Sequence, residues 1–137
     1  MPESSRGPDA VAVINTTPDA VDLLKDVLEQ AGFLVITAFT WAIQNGTVDL
    51  KGLLQTYQPK VIVYDIAPPY ERNWMHFLHL RETVLKGYRF VLTSVNVRHV
   101  ESLVGADERV YEVVGKPHDL DAIVRAIKEA VRARPTR

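Results

Sequence analysis

Short apolar runs alternate with amphipathic segments along most of the chain, and this alternation restricts the fold more than any other feature. The runs lie at Ala10–Ile14, Phe33–Ala38, Val61–Tyr64, Phe90–Leu92 and Val110–Val114. Short runs that are apolar throughout are typical of strands that helices cover on both faces of a parallel sheet. The alternation therefore predicts a doubly wound α/β domain built from five β-α units.

The segments between the runs have the apolar spacing and the end signals of helices. Helices are predicted over 18–31, from about Val48 to Tyr57, over 73–86, over 97–104, and from a cap at Asp119 to the C-terminal region. We expect Thr17 to cap the first helix, Gly32 to end it, and a loop around Asn45-Gly46. Trp74 and Phe77 are predicted core residues, and Glu112 places the fifth strand at an edge of the sheet.

The domain is predicted to span residues 10–133, between a flexible lead over 1–9 and a tail over 134–137. The chain has no cysteine, which excludes thiolate metal sites and a cysteine nucleophile. A formal net charge of −1 argues against a nucleic-acid surface. The N-terminus has no hydrophobic signal core, and no apolar run approaches the ~20 residues that span a bilayer. We therefore expect a cytoplasmic protein that does not contact a membrane.

Polar side chains follow the predicted strands at the edge where ligands bind in folds of this class. Asp65 follows the third strand, Thr93 the fourth and Lys116 the fifth. A carboxylate can act as a nucleophile, an ammonium can hold a phosphoryl oxygen, and a hydroxyl can donate to another such oxygen. Together the three residues predict a site for phosphoryl chemistry.

Four segments resemble the receiver domains of two-component response regulators: VINTTPDAVDLLKDVLEQAGF, PKVIVYDIAPP, FVLTS and VVGKPHDLDAI. The resemblance covers residues from about 10 to 133. It implies a flavodoxin-like receiver fold with a five-stranded parallel sheet in the order 2-1-3-4-5. It also implies signalling in a phosphorelay rather than enzymatic activity.

The same resemblance assigns roles to individual residues. Asp65 matches the aspartate that accepts a phosphoryl group from a histidine kinase or phosphotransfer protein. Thr93 and Lys116 match the residues that hold the phosphoryl group, and Pro69 matches the proline four positions after the acceptor. A cis peptide is implied between Lys116 and Pro117.

The chain departs from the family pattern at the metal site. Asn15 and Thr16 stand where receivers normally have two acidic residues that hold Mg²⁺. The ligands that remain are Asp65, the backbone carbonyl of Ala67 and, weakly, the amide oxygen of Asn15, with Glu71 close enough in sequence to swing in. Mg²⁺ prefers oxygen ligands that include carboxylates, so we expect weakened Mg²⁺ binding and slower phosphoryl transfer.

A second departure concerns the residue that switches on activation. Val113 stands at the position where receivers usually have an aromatic residue, and Tyr111 is on the same face of the strand two positions earlier. The family's usual contact face comprises the helix over 97–104, the fifth strand and the final helix. That face is the expected site of a downstream protein partner or of a homodimer.

Three functions remain open at this stage. The first is a stand-alone receiver in a phosphorelay that accepts a phosphoryl group on Asp65 and acts through protein contacts. The second is a degenerate receiver that binds partners or dimerises without phosphorylation. The third is a flavin- or nucleotide-binding protein that uses the run Asn15-Thr16-Thr17 at a helix N-terminus. His76 and His79 share a helix face, but with no third ligand they are interpreted as surface residues.

Overall fold

The computed structural model describes residues 8–105, 110–115 and 120–132. Within these ranges, five strands form one sheet: β1 Ala10–Asn15, β2 Leu34–Phe39, β3 Val61–Asp65, β4 Arg89–Ser94 and β5 Val110–Gly115. Every residue of β1 and β3 is buried, as expected for strands in the middle of a sheet that is covered on both faces.

All neighbouring strands are parallel, and their order is β2-β1-β3-β4-β5. The predicted order is therefore confirmed, as is the position of the fifth strand at an edge. Asp65 at the end of β3 lies in register with Thr93 of β4, and Ile14 of β1 lies beside Tyr64 of β3. The parallel arrangement brings the carboxyl ends of β1, β3 and β4 to one edge of the sheet.

Side chains alternate between two apolar layers, one on each face of the sheet. One layer joins the valines of β1, β3 and β4 to helices from each end of the chain: Val11, Val13, Val61, Val63, Val91, Leu24, Leu28, Ile123 and Ile127. The other contains the larger residues of the same strands together with Trp74 and Phe77: Ile14, Ile62, Tyr64, Phe90 and Leu92. The prediction that Trp74 and Phe77 belong to the core is confirmed.

In the part of the chain that the structure describes, six helices connect and follow the strands: α1 Pro18–Gln30, α2 Thr40–Gln44, α3 Leu50–Tyr57, α4 Tyr70–Glu82, α5 Val97–Val104 and α6 Leu120–Arg132. None of the described helices is long and apolar enough to cross a membrane. The cap predicted at Asp119, at the start of α6, lies outside the described residues.

The start of α1 differs from the prediction. Thr17 occupies the N-cap position, but its side chain makes no capping hydrogen bond. The amide oxygen of Asn15 instead accepts from the backbone N–H groups of Thr16 and Thr17. The end of the helix is as expected, since Gly32 follows it with a φ of +100°, a conformation that glycine adopts without strain.

The segment that follows β2 holds a helix where a loop was predicted. Residues 40–44 form α2, and Asn45-Gly46 then turns the chain. The next helix begins at Leu50 rather than near Val48, because Asp49 caps it by accepting from the N–H of Gly52 at 3.1 Å. A helix of five residues is too short to leave a periodic apolar pattern in the sequence.

Helix α4 lies three to four residues earlier than predicted, over 70–82 rather than 73–86. Pro69 precedes its first turn, where a missing N–H costs nothing. Thr83 ends it: its hydroxyl donates to the carbonyls of His79 and Leu80, and the N–H of Leu85 then folds back to Leu80. The apolar periodicity extended the prediction through Leu85, which is buried but lies beyond the helix.

Candidate functional site

The carboxyl edge of the sheet holds a buried carboxylate and a buried hydroxyl in direct contact. Thr93 Oγ1 donates a hydrogen bond of 2.8 Å to Asp65 Oδ1, and only 4% of Asp65 and 1% of Thr93 is exposed. The two residues are opposite each other in the paired strands β3 and β4. The N–H of Ile66 donates to the carbonyl oxygen of Thr93 at 2.9 Å, which extends the pairing past the end of β3. This pair is the one part of the predicted phosphoryl site that lies wholly within the described residues.

Asn15 lies at the same edge, at the end of β1, and only 1% of it is exposed. Its Oδ1 accepts from Thr16 N at 2.6 Å and from Thr17 N at 3.3 Å. Such a side-chain turn replaces the cap that the Thr17 side chain does not provide. The amide oxygen expected to be a weak metal ligand is therefore bound to the backbone that leads into α1.

The carbonyl of Ala67, the other predicted neutral ligand, also has a donor within the chain. Asn73 on α4 donates from Nδ2 to Ala67 O at 2.7 Å. Asn73 was not among the predicted site residues, although its position close to the start of the helix after β3 places it near this loop. The Pro68–Pro69 peptide in the same loop is cis.

Glu71 does not reach toward Asp65. Its Oε2 is 2.8 Å from Nε2 of His99 on α5, and the Tyr70 and His99 ring centroids are 4.9 Å apart. The hydrogen bond from His99 lowers the pKa of the Glu71 carboxyl below its ordinary value. The Glu71–His99 contact joins the first turns of α4 and α5, and sequence reasoning missed it because the two residues are far apart along the chain.

The donor set at this edge does not fit a typical Mg²⁺ site. Mg²⁺ requires near-octahedral oxygen coordination and is usually bound through one or two carboxylates. Asp65 contributes the only carboxylate among the predicted ligands, while Asn15 Oδ1 and Ala67 O each accept hydrogen bonds from the chain. Within the described ranges, no group of three or more histidine, aspartate or glutamate side chains could hold a metal ion, which includes His76 and His79.

Tyr64 precedes Asp65 in β3, so the two side chains point to opposite faces of the sheet. Tyr64 belongs to the apolar layer that contains Trp74 and Phe77. Its hydroxyl is 3.4 Å from Nδ1 of His76, which is also 3.4 Å from Nε2 of Gln44 on α2. Burial, and then the charge of Asp65, raises the pKa of Tyr64 far above its ordinary value, so the phenol keeps its proton. Burial lowers the pKa of His76, and neighbouring His79 lowers it further. These groups therefore form a polar cluster on the face of the sheet opposite the Asp65 side chain.

A cavity of about 270 Å³ opens between α1 and α6 beside Thr93 and Asn15. Leu23, Leu24 and Ile123 supply much of its wall. The amides of Thr16 and Thr17, which a phosphate-binding loop would present to its ligand, donate instead to Asn15. This arrangement does not favour a flavin phosphate at the start of α1.

The remaining predicted site residues are only partly described. Lys116 and Pro117, with the cis peptide predicted between them, lie outside the described residues, and the Tyr111 side chain is also outside them. Val113 lies in β5 opposite Leu92 of β4 and packs against the layer that contains Trp74. The roles assigned to these residues remain predictions.

The fold closely matches several solved structures. A response regulator from Thermotoga maritima has a TM-score of 0.69 and 18% identity, over 92% of this chain and 99% of that one. The N-terminal domain of the nisin resistance regulator NsrR has a TM-score of 0.67 and 19% identity, over 90% of this chain and 98% of that one. The response regulator TrrA from Thermotoga maritima, solved in complex with Mg²⁺-BeF, has a TM-score of 0.62 and 21% identity, over 89% and 98% of the two chains.

No protein-family model matches the sequence, and no curated protein matches it. The structural matches agree in fold over nearly the whole length of both chains, at identities near 20%. Together with the strand order, they establish the fold predicted from the four sequence segments.

Proposed function

We propose that this chain, which has the fold of response regulator receiver domains, is a signalling domain that accepts a phosphoryl group on Asp65 and acts through protein contacts. The observation that carries the proposal is the buried Asp65–Thr93 pair at the carboxyl edge of adjacent parallel strands. Ligand sites in doubly wound folds occur at that edge. The expected donor is a histidine kinase or a phosphotransfer protein.

The proposed reaction transfers a phosphoryl group from a histidine nitrogen of the donor protein to a carboxylate oxygen of Asp65. A carboxylate oxygen of Asp65 attacks the phosphorus of a phosphohistidine, and the P–N bond breaks. The electron pair remains on the imidazole nitrogen, which then takes up a proton, and an acyl phosphate forms on Asp65. The Thr93 hydroxyl, which now donates to Asp65 Oδ1, is near enough to donate to an oxygen of the new phosphoryl group. Lys116 would supply the positive charge that the resemblance implies.

The face formed by α5, β5 and α6 would bind the protein that receives the signal. Val100 is buried in α5, whereas Arg98, Glu101 and Ser102 are exposed on this helix and available to a partner. β5 is an edge strand that packs against both α5 and α6. The partner would be a downstream protein or a second copy of the chain.

A second candidate is a module of the same fold that binds partners without phosphorylation. The specific observation in its favour is that Asn15 Oδ1 and Ala67 O both accept hydrogen bonds within the chain, while no second carboxylate joins Asp65 among the predicted metal ligands. Phosphoryl transfer depends strongly on positive charge near the transferring group. In this candidate the Asp65–Thr93 bond serves only to hold β3 against β4.

Incubation with acetyl phosphate or phosphoramidate, with and without Mg²⁺, separates the two candidates by intact mass. Under the first, the natural chain gains the mass of one phosphoryl group and Asp65→Asn does not. Asp19→Asn is the matched control, because Asp19 is an exposed carboxylate in the first turn of α1 at the same edge. The Asp19→Asn variant should gain one phosphoryl group, as the natural chain does. An unmodified natural chain under all conditions overturns the first candidate, and an adduct that survives Asp65→Asn shows a different acceptor.

A further inference from the structure

The β2 edge of the sheet is unusually apolar for a strand that faces outward. Its sequence, LVITAF, contains no charged residue, no proline and no glycine. Among the described residues, only β1 pairs with β2. Proteins usually protect exposed edges with charges, prolines, bulges or a covering segment, because a bare edge is a template for another strand.

The main-chain groups of alternate β2 residues point away from β1. The N–H of Leu34 donates to the carbonyl of Asp9, which precedes β1, at 2.9 Å, so the main chain of Leu34 faces inward. In a parallel pair, the residues with inward main-chain groups alternate with residues whose groups face the other way. Val35 and Thr37 therefore present their N–H and C=O groups at the outer edge, and Phe39 presents its N–H there. The C=O of Phe39, the N-cap residue of α2, accepts the first hydrogen bond of that helix.

Exposed apolar side chains gather around the same strand. Leu34 on β2 is 42% exposed, Trp41 on α2 is 51% exposed, and Tyr57 on α3 is 44% exposed. Both α2 and α3 pack against β2. Phe39 is half-buried and stacks on Trp41 with ring centroids 5.3 Å apart. Backbone groups and apolar area thus occur together along this edge.

We propose that the β2 edge joins two copies of this chain in an antiparallel dimer that continues the sheet. A two-fold axis at Thr37 would place Thr37 opposite its own copy and Val35 opposite Phe39. In such an antiparallel pair the two copies of Thr37 would exchange both of their main-chain hydrogen bonds, and the N–H of Phe39 would donate to the C=O of Val35 in the other copy. Such an interface is self-complementary, because the same strand supplies both sides.

The charge of the chain supports a second copy as the occupant. The formal net charge is −1, so two copies repel each other little, and a net charge near zero favours association. The strand itself offers no charge that would select a basic or an acidic peptide. The β2 edge is also the opposite edge of the sheet from β5, so this dimer leaves the proposed partner face open.

Sedimentation velocity of the full chain, from about 10 µM to about 1 mM, tests the proposal in the range of weak dimers. We expect a dimer fraction that rises with concentration. Leu34→Lys should abolish it by placing a charge on the edge. Thr37→Pro should abolish it as well, because it removes an outward N–H without breaking a bond to β1. Met75→Lys is the matched control: Met75 is 63% exposed on α4, and its replacement should leave the dimer intact.

Amide hydrogen exchange supplies a second readout. The amides of Thr37 and Phe39 should become protected as concentration rises, while those of Leu34, Ile36 and Ala38 should be protected at all concentrations. A chain that stays monomeric throughout overturns the proposal. A dimer that Leu34→Lys leaves intact also overturns it, since that dimer would use another face. If Thr37→Pro fails to fold, Leu34→Lys alone decides the outcome.

Discussion

The Thr93 hydroxyl donates a hydrogen bond to Asp65 Oδ1 across two adjacent parallel strands, and both side chains are almost completely buried. A carboxylate in such a place depends on the donors around it, because burial without hydrogen bonds costs several kcal/mol. Thr93 is therefore a structural residue of the site as well as a proposed ligand of the phosphoryl group.

We expect Thr93→Val to lower the free energy of unfolding by about 1.5–3 kcal/mol, the usual range for a hydrogen bond to a charged group. The substitution keeps the shape of the side chain and removes only the donor. Urea unfolding measures the change. Thr56→Val is the control, because the Thr56 hydroxyl donates to Gly52 O on an exposed helix face and its loss should change stability by less than about 0.5 kcal/mol. Equal effects at the two positions would contradict the assigned role.

The contact between Glu71 and His99 should appear in a pH titration. Because the hydrogen bond from His99 lowers the pKa of Glu71, the ¹³C NMR titration midpoint of that carboxyl should lie below the ordinary glutamate value. A depressed carboxyl pKa contributes stability above the unfolded pKa, and this contribution is lost as pH falls through the folded pKa.

His99→Ala should return the Glu71 midpoint to its ordinary value. His79→Ala should not change it, since His79 is an exposed residue on α4 without a described contact to Glu71. A normal Glu71 midpoint in the natural chain would show that the contact is absent in solution.

The affinity of the site for Mg²⁺ should depend on the residue at position 15, which is Asn15 in this chain. We expect weak Mg²⁺ binding by the natural chain and tighter binding by Asn15→Asp, measured by isothermal titration calorimetry. Attraction between unit charges about 4 Å apart is about 1 kcal/mol even in water, and the cation is divalent, so a gain of about tenfold or more is expected. Aspartate at this position still offers an oxygen to the N–H groups of Thr16 and Thr17. Tight Mg²⁺ binding by the natural chain would contradict the description of the site.

Phe77 packs at the centre of the aromatic contacts in the apolar layer that contains Tyr64 and Trp74. It is fully buried, and its ring contacts those of Tyr64, Trp74 and Phe90, with centroids 4.9 to 5.3 Å away. Phe77→Ala should destabilise the fold by about 3–5 kcal/mol, measured by thermal or urea unfolding. Met75→Ala, on the exposed face of the same helix, should cost less than about 0.5 kcal/mol. A small decrease in the free energy of unfolding for Phe77→Ala would mean that neighbouring side chains move into the space left by the phenyl ring.

The sheet could be predicted from the sequence because local patterns determine it. Apolar runs such as Val61–Tyr64 identify buried strands, and the strand order followed from the resemblance. The limits of α4 could not be predicted, because Leu85 continues the apolar periodicity while the Thr83 hydroxyl ends the helix. Periodicity records which residues are buried and not where a helix stops.

The site was predicted less completely than the fold. Asp65 and Thr93 could be paired because parallel strands bring their carboxyl ends together. The sequence could not show that Asn15 would accept from the two amides that follow it, nor that Asn73 would donate to Ala67. Several hydrogen-bond partners of similar energy compete for such side chains, and tertiary packing decides between them.

The chain's two tryptophans lie in contrasting surroundings. Trp74 is 7% exposed in the apolar layer that contains Tyr64, while Trp41 is 51% exposed beside β2. Iodide, which quenches only indoles that it can collide with, should therefore separate their emission. The protein carries two intrinsic optical reporters, one for its interior and one for its outer edge, and each can be followed without attaching a dye.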